Sequence, residues 1–209
     1  MVPKLPLGIA DREVESGEHL LSIYQTRSEQ VTVAADFLAA GLRNYEQCAS
    51  IGDEALAQDI RAALAERGLD VHSAMVSGQL VFLVAREFYY DQDQLKLDHI
   101  AGLVRDAIDD ARRQGYQALR VVGENFGLFS HPDEIEVWAE YEARVNDELR
   151  GKPAIALCQY DQMRVPGHLL VNMIKTHPKV VVNGVLHENP FYQEPEAFLR
   201  TRPARWQIC

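Results

Sequence analysis

The stretch that most constrains the fold is 116–126, YQALRVVGENF, where a short apolar run (Leu119, Val121, Val122) stops abruptly at Gly123-Glu124-Asn125 between two long helical patterns. Such a run reads as a parallel strand buried on both faces, and strands of that kind deliver side chains to a crevice at their carboxyl ends. Glu124 would stand at that mouth.

The same alternation runs along the chain. HLLSIYQ (19–25) is a strand, and Ser28 with Val31, Val33, Ala34, Ala35, Phe37, Leu38 and Leu42 predicts a capped helix ending near 41–44. CASIG (48–52) is a second strand, followed by an amphipathic helix closed by Gly68. GQLVFLVARE (78–87) is a third, and Leu97, Ile100, Leu103, Val104, Ala107, Ile108 and Ala111 line one face of the next helix. After LRVVGE, Pro132 opens a helix that ends by Gly151 and Pro153; AIALCQYD (154–161) is the fifth strand, and Pro166 opens another helix. KVVVNGVL (179–186) splits at Asn183-Gly184, a turn signal for an antiparallel finish. Five buried strands alternating with helices predict a three-layer α/β domain, its mainly parallel central sheet covered on both faces. One domain over 1–209 is expected, with 1–16 a lead-in and 194–209 an irregular tail.

Composition narrows the partners. With 31 acidic against 21 basic residues the formal charge is −10, which repels nucleic-acid phosphate, and no direct nucleic acid binding is expected. No apolar stretch approaches the roughly 20 residues that span a bilayer, and the N-terminus lacks a signal-peptide core, so a cytoplasmic location and no membrane contact are expected. Cys48, Cys158 and Cys209 show no paired spacing and read as reduced thiols.

The segments GEHLLSIYQ, FLAAGLRNYEQCASIGDE, the GEN turn, WAEYEARVN, ALCQYD and THPKVVVNGVLHENPFY, in this order over 17–193, resemble the MEDS (methanogen/methylotroph sensory) domain, a divergent branch of the RecA-like fold related to circadian-clock ATPases. The resemblance implies a non-catalytic ligand-sensing module in signal transduction or transcriptional regulation, taking a small organic molecule. It also implies a signalling partner, a kinase or transcription regulator, which here would be another polypeptide; a homodimer is a further expectation.

A phosphate-binding loop needs GxxxxGK[ST], whose glycines admit backbone amides to phosphate, and 24–32 (YQTRSEQVT) has neither glycine nor lysine. The P-loop is degenerate, and a residual nucleotide-binding ATPase is the alternative reading. Arg27 reads as a surface residue. Tyr24, Arg86 and Tyr160 end the first, third and fifth strands and would line a pocket with Glu124, whose carboxylate would accept from a ligand, pair with Arg86 or Arg120, or simply sit exposed in a turn. His177 and Asn189, in segments that carry the resemblance, complete the ligand-binding set. The 86–95 segment and the 124–132 loop are the expected moving parts.

Cys48 and Cys158, on strands expected to be neighbours, with His19, His177 and His187, offer soft donors, but no pair has a local ligand spacing. No metal site and no cofactor are assigned. Trp138, Tyr141 and Val145 form a packing stripe, while Glu140 and Glu142, at i and i+2, point to different sides and read as solvated. No catalytic residue is assigned, and no GxSxG or HExxH signature is present.

Overall fold

The computed structural model describes residues 3–91, 94–95, 97–124 and 132–202. Its sheet strands are β1 (His19–Tyr24), β2 (Gln47–Gly52), β3 (Leu80–Val84), β4 (Leu119–Glu124), β5 (Ala154–Asp161), β6 (Lys179–Val182) and β7 (Val185–Glu188). They lie in the order β7-β6-β1-β5-β4-β2-β3, and every adjacent pair is parallel except the β6–β7 hairpin. That hairpin turns at Asn183 and Gly184, both at positive φ, as the Asn-Gly pair predicts.

The helices are α1 (Arg27–Arg43), α2 (Glu54–Glu66), α3 (Val71–Val76), α4 (Ala85–Tyr89), α5 (Leu97–Arg113), α6 (Pro132–Leu149), α7 (Gly167–Thr176) and α8 (Pro195–Arg200). One core lies between the sheet and α1 and α2, joining Leu20, Val122 and Leu157 to Phe37, Leu38, Ile60 and Leu64. The other lies between the sheet and α5 to α8, joining Leu21, Ile51 and Tyr160 to Ile108, Trp138, Leu169 and Phe198. Because successive strand residues alternate faces, each strand feeds both cores. Three layers follow.

Several local expectations need correction. Thr26, not Ser28, caps α1, its hydroxyl accepting from the Glu29 amide at 3.2 Å. The third strand stops at Val84, and Arg86 stands on α4. The lead-in contains a two-stranded ladder, Lys4–Pro6 with Glu13–Glu15, that inserts Leu5, Leu7 and Val14 into the first core. The tail contributes α8, whose Phe198 is buried. These short elements carry too few apolar residues for a period to show, and the core selects them. Residues 125–131 of the 124–132 loop, expected to move around a ligand, and Cys209 lie outside the described residues.

The topology fixes where a crevice falls. From β1 the chain crosses over α1 toward β2 on one side, and from β5 it crosses over α7 to β6 on the other. The adjacent pair β1–β5 is therefore the switch point, the place outside the strand ends where open α/β sheets generally bind their ligands. Among the described residues no helix is long and apolar enough to cross a membrane.

Candidate functional site

Two groups of polar side chains stand near β1 and β5, one at each end of β1. At the carboxyl end, Tyr24 is 3% exposed, and its hydroxyl donates to Glu124 Oε1 at 2.9 Å, reaching past β5 from β1 to β4. Burial first, and then the Glu124 carboxylate, push the Tyr24 phenol well above its ordinary range, so it is a fixed donor. Only Gln25 and Thr26 connect β1 to α1. The Glu29 carboxylate already accepts from the Gln25 amide at 2.9 Å, and it occupies the helix N-terminus where an anion would otherwise be favoured. Arg27 pairs with Asp59 at 2.9 Å.

The predicted ligand-binding residues divide between the two ends. Tyr24 and Glu124 meet. Arg86 lays its guanidinium 5.5 Å from the centre of the Tyr90 ring. Tyr160 and His177 belong to the second group, and Asn189 clips the chain after β7 to α7, donating to the carbonyls of Ile174 at 2.5 Å and His177 at 2.7 Å. Arg120 does not pair with Glu124; it faces the α1 core and holds Glu46.

The second group is built from four elements. His19 opens β1, Cys158 lies in β5 on the same face, Glu142 projects from the middle of α6, and His177 caps the C-terminus of α7. His19, Glu142 and His177 are fully buried. The spacing from Glu140 suggested a solvated Glu142, and its burial corrects that expectation. It follows Trp138 by four residues and precedes Val145 by three, so it interrupts the buried stripe. Cys48 is no neighbour of Cys158, because β4 lies between β2 and β5.

Distances within the group are short. His19 Nε2 lies 3.2 Å from Glu142 Oε2 and 3.2 Å from Cys158 Sγ. Cys158 Sγ is 3.5 Å from Glu142 Oε2, and His177 Nε2 is also 3.5 Å from that oxygen. The two imidazoles stack with centroids 4.0 Å apart. Around them, Trp138 Nε1 donates to Tyr160 Oη at 2.7 Å, and Tyr160 Oη donates to Glu142 Oε1. Asn146 Nδ2 donates to the carbonyls of Ala143 and Thr176, tying α6 to the end of α7.

Electrostatics follow from the burial. Burial, reinforced by His177, lowers His19 to about 4, so its ring is neutral near pH 7. Burial alone would raise the Glu142 carboxyl, but the two imidazoles override it and hold it below the usual carboxylate range. The Cys158 thiol is pushed up, by burial first and by Glu142 next. This is not a nucleophile triad. There the acid orients the ring nitrogen opposite the nucleophile, whereas Glu142 and Cys158 crowd the same nitrogen of His19.

The family model described as the methanogen/methylotroph, DcmR sensory domain (MEDS) matches residues 18–178. The chain is also 27% identical over 172 residues to the transcriptional repressor DcmR of Methylorubrum extorquens (strain DSM 6343 / CIP 106787 / DM4), a match covering 81% of this chain and 61% of that protein. This chain therefore spans less than two thirds of that relative's length. His19, Glu142, Cys158 and His177 all fall inside the matched segment, as do Tyr24 and Glu124. Matched over most of its length, the chain belongs to the MEDS family of sensory domains.

Proposed function

We propose that this chain is the non-catalytic sensing part of a regulatory system, taking a small organic molecule at the strand-end crevice and signalling its occupancy to a transcription regulator or kinase. The observation that carries this reading is the Tyr24–Glu124 hydrogen bond outside the β1–β5 switch point. A ligand that offers its own donor to Glu124, or its own acceptor to Tyr24, competes with this bond. Occupancy then favours one of two arrangements of the segment that follows β3, to the extent that the ligand binds the two unequally. The membership in a sensory family and the repressor function of the relative support a regulatory output.

The competing reading is retained nucleotide binding. Two features oppose it: a two-residue connection after β1 leaves no cradle for phosphate, and the Glu29 carboxylate already sits at the start of α1. Native mass spectrometry of protein purified from its own host should reveal a co-purified organic molecule, and Tyr24→Phe and Glu124→Gln should each release it. Micromolar binding of ATP with magnesium that weakens in Glu124→Gln would establish the competitor instead.

A further inference from the structure

We propose that His19, Glu142, Cys158 and His177 form a four-coordinate site for a divalent transition-metal ion, zinc being the best fit. The site is independent of the strand-end ligand reading and would stand if that reading failed.

The first ground is geometry. The four ligand atoms all lie within 4.8 Å of one another. A tetrahedral zinc ion bound at ordinary Zn–N, Zn–O and Zn–S lengths holds its ligand atoms about 3.3 to 3.6 Å apart. Four of the six separations here are 3.2, 3.2, 3.5 and 3.5 Å. The residues come from three strands or helix ends and one helix interior, so the fold and not a local turn sets the spacing.

The second ground is an unpaired lone pair. His177 Nδ1 donates to the Met173 carbonyl at 2.7 Å, which assigns the proton to Nδ1, since a carbonyl only accepts. Nε2 is fully buried and without a hydrogen-bond partner, and it faces the Glu142 carboxylate oxygen at 3.5 Å. In the neutral ring that nitrogen carries a lone pair, so a cation between it and the carboxylate, a metal ion or a proton, relieves the repulsion of two acceptors in a buried space. A metal-bound histidine typically has its other ring nitrogen anchored to a carbonyl in this way. Trp138 and Tyr160 do the same for the carboxylate, leaving Oε2 to the ion while Oε1 accepts from Tyr160.

The third ground is charge. On binding, the Cys158 S–H bond breaks, its proton leaves to solvent, and the sulfur lone pair forms the bond to the ion. Thiolate, carboxylate and a divalent cation then sum to zero, so the buried site carries no net charge. Two nitrogens, one sulfur and one carboxylate oxygen are borderline-soft donors that suit zinc and its cobalt substitute better than magnesium or calcium.

The test uses the full chain, stripped with a chelator and titrated with Co2+ alone. One equivalent should produce the intense visible bands of four-coordinate cobalt and a near-ultraviolet thiolate-to-cobalt band, and one equivalent of Zn2+ should bleach both. Cys158→Ser should remove the thiolate band, whereas Cys48→Ser should keep it, and His177→Ala should lose stoichiometric binding. Tyr160→Phe, which keeps all four ligands, should weaken affinity by about 10- to 100-fold. Absence of the thiolate band in the unaltered protein would overturn the proposal without any reliance on a variant's folding. So would its loss in Cys48→Ser with retention in Cys158→Ser.

Discussion

Glu46 and Glu142 are both fully buried carboxylates on opposite faces of one sheet, and they are partnered very differently. On the α1 face Arg120 grips Glu46 with two bonds, Nε at 2.7 Å and Nη2 at 3.1 Å. Its remaining donors reach the carbonyls of Pro6, Leu7 and Phe37, and its guanidinium lies 4.5 Å from the centre of the Phe37 ring. Arginine's five N–H donors thus meet five acceptor contacts. On the α6 face Glu142 faces the Nε2 of His177, and neither that nitrogen nor His19 Nδ1 has a hydrogen-bond partner among the described residues. A buried charge with every partner in place is architecture. Glu142 accepts from Tyr160 and Cys158, but the imidazole nitrogen of His177 beside it has no hydrogen-bond partner, and the four side chains together suit a cation.

If the contrast is right, breaking the closed face should cost far more than altering the open one. Arg120→Ala leaves Glu46 buried and unpaired, and should lower unfolding free energy by about 3 to 5 kcal/mol in urea titration. Gly41 makes room for the same arginine: a Cβ there would stand 2.4 Å from Arg120 Nε. Gly41→Ala should therefore cost about 1 to 3 kcal/mol, reversing the gain that alanine usually brings to a helix interior. Tyr24→Phe deletes one hydrogen bond at the strand ends and should cost about 0.5 to 1.5 kcal/mol by the same method. Glu142→Gln, measured on chelator-treated protein, should have the smallest effect, within about 1 kcal/mol, because the amide supplies a donor to atoms that now lack one. A loss as large as that of Arg120→Ala would show that the open face is closed architecture too.

The layers were legible because they rest on local pattern. The apolar runs at 19–24, 48–52, 119–124 and 154–161 lie in strands, and Trp138, Tyr141 and Val145 are buried as their spacing predicts. Strand order was not legible, and the open face depends on it. His19 meets Cys158 only because β1 lies beside β5, and no local spacing records a contact between residues so far apart. Glu142 did leave a signal. Its place between Trp138 and Val145 on one helical face marks a carboxylate inside an apolar stripe, which the pairing with Glu140 concealed. Arg120, in the middle of an apolar strand, left the same kind of mark, and its partner Glu46 could be identified only once the strands were assembled.

The measurement that bears most directly on the difference between the faces is a crystal structure of zinc-loaded protein with anomalous diffraction recorded at the zinc edge. One strong peak per chain is expected, at bonding distance from His19 Nε2, Glu142 Oε2, Cys158 Sγ and His177 Nε2, with the Arg120–Glu46 contacts unchanged. A fully loaded crystal with its peak elsewhere, or with Glu142 and His177 still facing each other across empty space, would contradict the proposed site.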